Sequence, residues 1–306
     1  MTAAGPFLSR ITRAMLEGLL GRFTRLTPMM MEALVLQRFY QDEVGRAYGV
    51  DRRAKTAMAE RFQTVTRDVP SGTTWLYHVV LATELLRIPP SVIGDVVECG
   101  CWKGASTASL STVCAAVGRR LIVCDSFEGL PEDEQQKTHQ YPHVGVFGYY
   151  QKGMYAGRLE EVQATISKYG RLDVCQFVTG FFSDSLTSLT RPVVFAFLDV
   201  DLAPSMKDCV QYLWPLLVDG GLIYTDDSCD MEVVRIWFDE AWWKETLGCR
   251  PPGYVGSGCG LPIHPEFSSI GYARKVSVPE RYYHRVSWLA YPDSEPAGEP
   301  FTRKTT

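Results

Sequence analysis

The first ninety residues carry hydrophobic side chains at the spacing of amphipathic helices. One such segment covers residues 7–20, a second covers residues 29–39 after Pro28, and a third at 74–87 ends against the helix-breaking Pro89 and Pro90. We interpret residues 1–90 as a helical extension that packs on the core or joins copies of the chain, and we expect a homo-oligomer through these helices. A lid over a binding site and a peripheral membrane contact remain the alternatives.

From residue 95 onward, short β-branched runs alternate with helical stretches, which is the pattern of βαβ units. Five runs predict parallel strands, at residues 96–99, 121–124, 174–178, 193–198 and 222–225. Helices are predicted between and after them, at residues 106–117, 159–169, 206–217 and 231–245. Two late runs, 268–274 and 286–290, predict an antiparallel pair at one edge. The sequence therefore predicts an α/β fold with a Rossmann-like, doubly wound, mostly parallel sheet over residues 91–292 and a loose tail at 293–306.

Composition and charge exclude several classes of protein. The chain has 306 residues, of which 46% are hydrophobic and 22% charged, as in globular proteins and unlike disordered ones. Its formal charge is −4 and it has no long run of lysine and arginine, so no nucleic-acid partner is expected. Nine cysteines without CxxC spacing indicate reduced thiols and a cytoplasmic location. Arg10 and Arg13 interrupt the apolar start, and no apolar run reaches about 18 residues, so neither export nor a membrane span is predicted.

A glycine-bearing turn follows the first predicted strand, at the edge where open parallel sheets bind ligands. The turn runs Glu98-Cys99-Gly100-Cys101-Trp102-Lys103-Gly104-Ala105-Ser106 and opens a helix, whose free N–H groups can hold a carboxylate. Trp102 stands where the second glycine of a dinucleotide G-x-G-x-x-G motif would admit a pyrophosphate. This disfavours a nicotinamide dehydrogenase and favours S-adenosylmethionine, which has no phosphate. The candidate cofactor-binding residues of this turn are Glu98, Gly100, Trp102, Gly104 and Ser106, and a tight turn without a ligand is the alternative.

The second predicted strand ends at Asp125 and Ser126, which places a carboxylate 25 residues beyond Gly100. Related folds present an acid near this position to the hydroxyls of a ribose, so both residues are candidates for cofactor binding. An aspartate at this place also fits a cap of the segment that follows, and for the residue alone both interpretations are open. The glycine turn next to it favours cofactor binding.

Four carboxylates follow two adjacent predicted strands. Asp199 and Asp201 come after the fourth strand, and Asp226 and Asp227 come after the fifth. Such crowding is repulsive unless a cation neutralises it. Ligands that are all oxygen favour Mg²⁺, or another hard divalent cation such as Mn²⁺ or Ca²⁺, over zinc. The alternative is that Asp201 and Asp227 only cap the helices that follow them.

The stretch between Phe127 and Gly157 is long enough to be a lid. Its aromatic side chains suit the C–H surface of a sugar or a polyketide ring. His139 and His143 in this stretch are candidate catalytic bases, and the alternative is that they are solvated bystanders. A second glycine-rich loop, at residues 251–262, is placed to close the pocket from the other side.

Several of these segments resemble the macrocin O-methyltransferase family. The likeness is carried by Gly94-Asp95-Val96-Val97-Glu98-Cys99-Gly100, Asp125-Ser126-Phe127-Glu128-Gly129-Leu130-Pro131, Asp199-x-Asp201-Leu202, Gly220-Gly221 and Asp226-Asp227. It covers roughly residues 72–245, and the ordered set is more specific than any one motif. The resemblance implies a class I methyltransferase that moves a methyl group from S-adenosylmethionine to a sugar hydroxyl of a glycosylated natural product, as in antibiotic biosynthesis, with Mg²⁺ on the acceptor hydroxyls.

The same resemblance implies roles for particular residues. Asp199, Asp226 and Asp227 would be metal ligands, and Asp199 would also be near enough to take the hydroxyl proton. The residues that would hold the cofactor are Glu98, Gly100, Asp125, Gly180 and Phe181. Family members often carry Tyr-Glu after Asp-x-Asp-Leu, whereas this chain has Ala203-Pro204, which leaves the acceptor open. The competing functions are methyl transfer to a catechol, carboxyl or nitrogen acceptor, and a noncatalytic scaffold in a biosynthetic complex.

Overall fold

The computed structural model describes residues 32–132, 149–228, 230–256 and 270–276, together with the backbone of two short strands at 140–141 and 146–147. The predicted helix at 7–20, the predicted strand at 286–290, the predicted tail, His139 and His143 all lie outside these residues. The division into an extension, a methyltransferase domain and a tail therefore stays a prediction. Everything described up to Lys275 belongs to one compact unit.

The strands follow the alternating pattern along the second part of the chain. In chain order they are β1 (Asp95–Cys99), β2 (Leu121–Asp125), β3 (Gln140–Tyr141), β4 (Val146–Phe147), β5 (Cys175–Thr179), β6 (Val193–Leu198), β7 (Leu217–Thr225), β8 (Val255–Gly256) and β9 (Gly271–Arg274). Seven of them form one sheet in the order β5-β2-β1-β6-β7-β9-β8, and β3 and β4 form a separate antiparallel pair.

The predicted doubly wound sheet is confirmed. The first five strands in this order pair in parallel, and each begins or ends within a few residues of the predicted run. The antiparallel edge is also present, because β9 runs antiparallel to β7. The second neighbour of β9 is β8, which the sequence did not predict.

Apart from the four-residue helix at Phe182–Ser185, which the sequence did not predict, the sequence pattern missed one helix and predicted one helix too long. In chain order the helices are α1 (residues 32–39), α2 (Arg52–Asp68), α3 (Trp75–Arg87), α4 (Ala105–Val117), α5 (Leu159–Tyr169), α6 (Phe182–Ser185), α7 (Ala203–Leu216), α8 (Met231–Ile236) and α9 (Glu240–Leu247). The missed helix is α2, although Asp51 caps it and Met58, Phe62 and Val65 form its buried stripe. The predicted helix at 231–245 is two helices, because the Asp239 side chain accepts the Trp242 N–H and starts a new one.

Helices cover both faces of the sheet. Alternate residues of β1 point to opposite faces, so Val96 belongs to a core cluster with Phe62 of α2 and Leu81 of α3. Val97 belongs to a second cluster with Met206 of α7 and Trp237 after α8. The described N-terminal helices thus share the core of the sheet. Within the described residues, no helix combines the length and the apolar character needed to cross a membrane.

The order of the strands reverses direction beside β1, and this creates a crevice at the carboxyl ends of β1 and β6. The two strand ends are joined by a hydrogen bond of 2.9 Å from the Asp199 N–H to the Cys99 carbonyl. Gly100 turns away at φ 81°, and a Cβ atom there would lie 1.8 Å from the carbonyl oxygen of Asp199. Only glycine fits this contact.

We therefore expect Gly100→Ala to be far more destabilising than Gly118→Ala. Both glycines have positive φ, but a Cβ on Gly118 would meet no atom within 4 Å. The backbone conformation alone costs an alanine about 1–2 kcal/mol, and overpacking at position 100 adds roughly 1–3 kcal/mol or more. Chemical denaturation of both variants measures the difference, and equal losses of stability would contradict this account of the turn.

Candidate functional site

A cavity of about 880 Å³ opens at the carboxyl ends of the parallel strands. The predicted site residues that line it are Gly100, Trp102, Ser106, Asp125, Ser126, Phe181, Asp199, Asp226 and Asp227. Three other predicted residues, Glu98, Gly104 and Gly180, are not among its lining residues. The structure thus brings the candidate cofactor residues and the candidate metal ligands to one cavity.

The glycine turn shapes the floor of this cavity. Trp102 adopts a φ of 42°, which is rare for a non-glycine residue, and its ring packs edge-on against Tyr155 at 5.2 Å between centroids. Gly104 has a φ of 82° and starts α4, and a Cβ there would come within 3.1 Å of Val162. The first residues of α4, Ala105 and Ser106, face the cavity. Their position at the start of a helix suits an anionic group of a ligand.

Glu98, at the start of the turn, is fully buried. Neither of its carboxylate oxygens has a hydrogen-bond partner of good geometry. Burial raises the pKa of Glu98 to about 7, against the opposing effect of the nearby Ser106 and Thr107 hydroxyls. The side chain is thus enclosed near the first turn of α4, and its candidate role in cofactor binding stays a prediction.

Asp125 joins the end of β2 to the glycine turn. Its Oδ2 accepts the Cys101 N–H at 2.7 Å, and its Oδ1 accepts the Phe127 N–H at 2.8 Å. Each carboxylate oxygen can accept more than one hydrogen bond, so both remain able to accept from a ligand hydroxyl. The capping interpretation and the ligand interpretation of Asp125 are thus compatible.

Two neighbouring segments complete this side of the cavity. The Ser126 hydroxyl donates to the Gly129 carbonyl at 2.9 Å and accepts the Glu128 N–H, so it orders the chain after β2. The Gly180 N–H donates to the Asp125 carbonyl at 3.0 Å, which fixes the end of β5 beside β2. Phe181 then presents its ring, 39% exposed, to the cavity.

The aspartates form a cluster at the ends of β6 and β7. Leu198 and Thr225 are register partners, so the residues after them are adjacent. One carboxylate oxygen from each of Asp199, Asp226 and Asp227 can be chosen so that all three lie within 4.8 Å of one another. Oxygens spaced in this way can surround a single hard cation whose ligand distances are about 2.0–2.6 Å.

The aspartate carboxylates of the cluster repel one another, and this repulsion shifts their pKa values. Burial and then the charge of Asp226 raise the pKa of Asp199 well above its usual range. Burial and the charge of Asp201 do the same for the pKa of Asp227. Burial also raises the pKa of Asp201 to about 6. A divalent cation would remove most of this penalty.

The alternative role of Asp201 and Asp227 as helix caps is wrong. Helix α7 begins after Leu202 and has no side-chain cap, and α8 is capped by Asp230. Asp227 instead accepts the Asp201 N–H at 3.1 Å through Oδ2. Both residues therefore belong to the cluster.

Three aromatic rings also line the cavity. The Tyr150 ring lies 5.1 Å from that of Tyr149 and 6.1 Å from that of Tyr155, and Leu130 and Leu202 pack beside them. These tyrosines belong to the aromatic stretch from which the sequence predicted a lid. Their rings give the cavity an apolar surface next to the carboxylates.

Sequence reasoning missed two contributions to the site. The loop at residues 70–73, between α2 and α3, lines the cavity, and nothing in its letters beyond a turn signal marks it. Tyr254 reaches under the cluster, where its hydroxyl is hydrogen-bonded at 2.6 Å to that of Thr225. Tyr254 falls in the glycine-rich loop at 251–262, but its direction could not be read from the sequence.

Comparisons with known proteins find a matching family model and several similar proteins. A family model described as macrocin-O-methyltransferase (TylF) matches residues 32–247. The chain is 36% identical over 149 residues to 8-demethyl-8-(2,3-dimethoxy-alpha-L-rhamnosyl)-tetracenomycin-C 4'-O-methyltransferase of Streptomyces olivaceus, a match that covers 44% of this chain and 53% of the relative. It is 28% identical over 143 residues to mycinamicin III 3''-O-methyltransferase of Micromonospora griseorubida, covering 45% and 56%. The chain thus spans about half the length of the curated relatives it matches. Among solved structures, the O-methyltransferase NovP is 20% identical with a TM-score of 0.48, covering 83% of this chain and 99% of that one.

The raised pKa values predict how stability depends on pH without metal. The folded protein retains protons on Asp199, Asp201 and Asp227 that the unfolded chain releases above about pH 4. When a chelator keeps the protein free of metal, the free energy of unfolding should therefore fall as the pH rises from about 4 through 6.

The contribution of the aspartate cluster to stability is measured by comparing the melting temperatures of the wild-type protein and Asp227→Asn between about pH 4 and pH 7. The variant should melt higher than the wild type at pH 7 by a few degrees, because each kcal/mol shifts the melting temperature of a chain this size by roughly 2–4 °C. The gap should shrink towards pH 4, and parallel curves would contradict the cluster as described.

Proposed function

The chain belongs to the macrocin O-methyltransferase family, and from this premise we propose that it transfers a methyl group from S-adenosylmethionine to a hydroxyl on a sugar of a natural product. The observation that carries the proposal is the contact between Gly100 and Asp199. The contact joins the candidate cofactor turn to the backbone of Asp199, whose side chain belongs to the aspartate cluster. The methyl donor and the hydroxyl acceptor would therefore meet at Asp199.

The cofactor would lie along the ends of β1, β2 and β5. Its methionine carboxylate fits the N–H groups at the start of α4, beside Ser106. Its ribose hydroxyls fit the free lone pairs of Asp125, and its adenine fits the face of Phe181. Trp102 stands in the turn where a dinucleotide motif has a glycine, and it lines the cavity, which supports a cofactor without a pyrophosphate.

A divalent metal ion, Mg²⁺ first, would be held by Asp199, Asp226 and Asp227. The fit rests on their oxygen-only chemistry and their spacing within 4.8 Å. When bound, the ion supplies Lewis acidity that lowers the pKa of an acceptor hydroxyl. Tyr254 and Thr225 brace the chain just before Asp226 and so hold the cluster in place.

The reaction itself is an in-line displacement. The acceptor oxygen forms a bond to the methyl carbon while the carbon–sulfur bond breaks, and the electron pair returns to sulfur to give S-adenosylhomocysteine. The hydroxyl proton passes to the carboxylate of Asp199, whose position beside both subsites suits a general base. The main contribution of the protein is to orient the two reactants and exclude water.

The charge of the cavity bears on the acceptor. Eight carboxylates line it, and among the described lining residues there is no lysine, arginine or histidine. At the rim, Glu132 pairs with Lys152 at 3.5 Å. The remaining negative charge exceeds what one divalent cation and one cofactor neutralise, so the cavity favours an acceptor without anionic groups. An uncharged glycoside, with its sugar ring against Tyr149 and Tyr155, fits better than a sugar nucleotide.

We expect Asp199→Ala and Asp226→Ala to abolish turnover and to weaken Mg²⁺ binding, while S-adenosylhomocysteine still binds. The physical reason is that both variants remove ligands of the metal and leave the glycine turn and Asp125 intact. Calorimetric titration measures both ligands, and an assay on a panel of glycosylated natural products measures turnover. Asp219→Ala, an exposed aspartate at the opposite end of β7, is the matched control and should behave as the wild type.

Each other outcome has a definite meaning. Wild-type rates in both variants, or insensitivity to a chelator, would contradict the metal-centred reaction and favour a catechol, carboxyl or nitrogen acceptor. Failure of the wild-type protein to bind S-adenosylhomocysteine would overturn the proposed enzyme and favour a noncatalytic scaffold.

We also expect discrimination by the charge of the acceptor. A nucleoside diphosphate sugar should be methylated with a kcat/KM at least about a hundredfold below that of an uncharged glycoside of the same sugar, because facing like charges costs several kcal/mol. The gap should narrow as ionic strength rises. Equal rates for the two acceptors would contradict the charge argument.

A further inference from the structure

A chain of buried hydrogen bonds links the loop at residues 70–73 to helix α4. The Thr73 hydroxyl is hydrogen-bonded to Nε2 of His78 at 2.9 Å, and Nδ1 of His78 is hydrogen-bonded to the Ser109 hydroxyl at 2.8 Å. All three residues are at most 5% exposed. These hydrogen bonds therefore join the loop at residues 70–73, helix α3 and helix α4 through one histidine.

His78 is suited to this place because it is neutral. Burial lowers the pKa of His78 to about 3, so the imidazole carries no charge at physiological pH. A neutral imidazole has one donor and one acceptor nitrogen, and a hydroxyl on each side can satisfy both. The Phe62 ring of α2 meets the imidazole edge-on at 6.0 Å and helps to enclose it.

One end of the chain of hydrogen bonds is a wall of the cavity. Ser71, Gly72 and Thr73 line it, and the Ser71 hydroxyl donates to the Thr73 carbonyl at 2.8 Å, which makes the loop compact. A Cβ on Gly72 would lie 4.0 Å from Oδ2 of Asp199. The loop thus passes close to the carboxylate at which the two reactants would meet.

The other end is the helix that begins at the glycine turn. Ser109 lies on α4, one turn beyond Ser106, and Ser106 lines the cavity. His78 therefore sets the distance between the loop at residues 70–73, which lies near Asp199, and helix α4, which begins at the glycine turn. His78 belongs to none of the sequence motifs that indicated the site, and it takes no part in the proposed methyl transfer.

We propose that His78 is a positioning residue, which holds the loop at 70–73 against α4 as the second wall of the cofactor subsite. This inference rests on the proposed function, because it assigns that subsite to S-adenosylmethionine. It also gives the N-terminal helices a part in the active site, through α3, whether or not they join copies of the chain.

The test uses variants that break one hydrogen bond at a time. Thr73→Val removes the hydroxyl and keeps the shape of the side chain. The amide of His78→Gln reaches the place of Nε2 and can keep the bond to Thr73, whereas that of His78→Asn reaches the place of Nδ1 and can keep only the bond to Ser109. The matched control is Thr83→Val on the same helix, because the Thr83 hydroxyl is equally buried but donates to the Val79 carbonyl at 2.7 Å.

Titration with S-adenosylhomocysteine measures the result on the full chain. Thr73→Val and His78→Asn should raise the dissociation constant roughly tenfold, the effect of one unmade buried hydrogen bond. His78→Gln should weaken binding as well, because it loses the bond to Ser109 and so releases the loop from α4. Only Thr83→Val should stay close to the wild type. Hydrogen exchange of the amides at 71–74 should be faster in Thr73→Val and in both His78 variants than in Thr83→Val.

The proposal is overturned if Thr73→Val binds as tightly as the wild type, or if Thr83→Val weakens binding equally. If the wild-type protein does not bind S-adenosylhomocysteine, the proposed function fails and the exchange rates alone decide on the role of His78. Faster exchange in Thr73→Val and His78→Asn, but not in Thr83→Val, would then still support it, and unchanged rates would overturn it.

Discussion

The close approach of Gly100 to the backbone of Asp199 is the constraint on which the site depends. A Cβ at position 100 would lie 1.8 Å from the Asp199 carbonyl oxygen, so the two strand ends meet without any side chain between them. This contact occurs where the strand order reverses, and it brings the glycine turn and the aspartate cluster to one cavity. A ligand on the turn and a ligand on the cluster would be neighbours as a consequence.

The cavity concentrates negative charge at a cost in stability. Burial and mutual repulsion raise the pKa values of Asp199 and Asp227, so the folded state without ligands is strained electrostatically. Under the proposed function, a divalent cation and a cationic cofactor relieve this strain when they bind. Each would weaken the negative potential that attracts the other, so the electrostatic part of their coupling would be unfavourable.

The N-terminal helices belong to the architecture of the site. Phe62 and Leu81 bring α2 and α3 into the core of the sheet, and the loop between these helices lines the cavity next to Asp199. From the sequence we interpret this region as an extension. The helical periodicity predicts its helices, but it does not predict what the loops between them contact. For its outermost part, residues 1–31, the role in assembly stays a prediction.

The sequence by itself determined the elements of the sheet and the residues at their ends. Period-two and period-3.6 patterns are local, and parallel strands end at one edge, so the letters alone place Gly100, Asp125, Asp199 and Asp226 together. Only the tertiary structure decided that Glu98 is fully buried, that Asp201 and Asp227 face the cluster rather than cap helices, and that His78 ties the loop at 70–73 to α4. These outcomes depend on side-chain directions and on contacts between residues far apart in the chain, and no local pattern of letters encodes them.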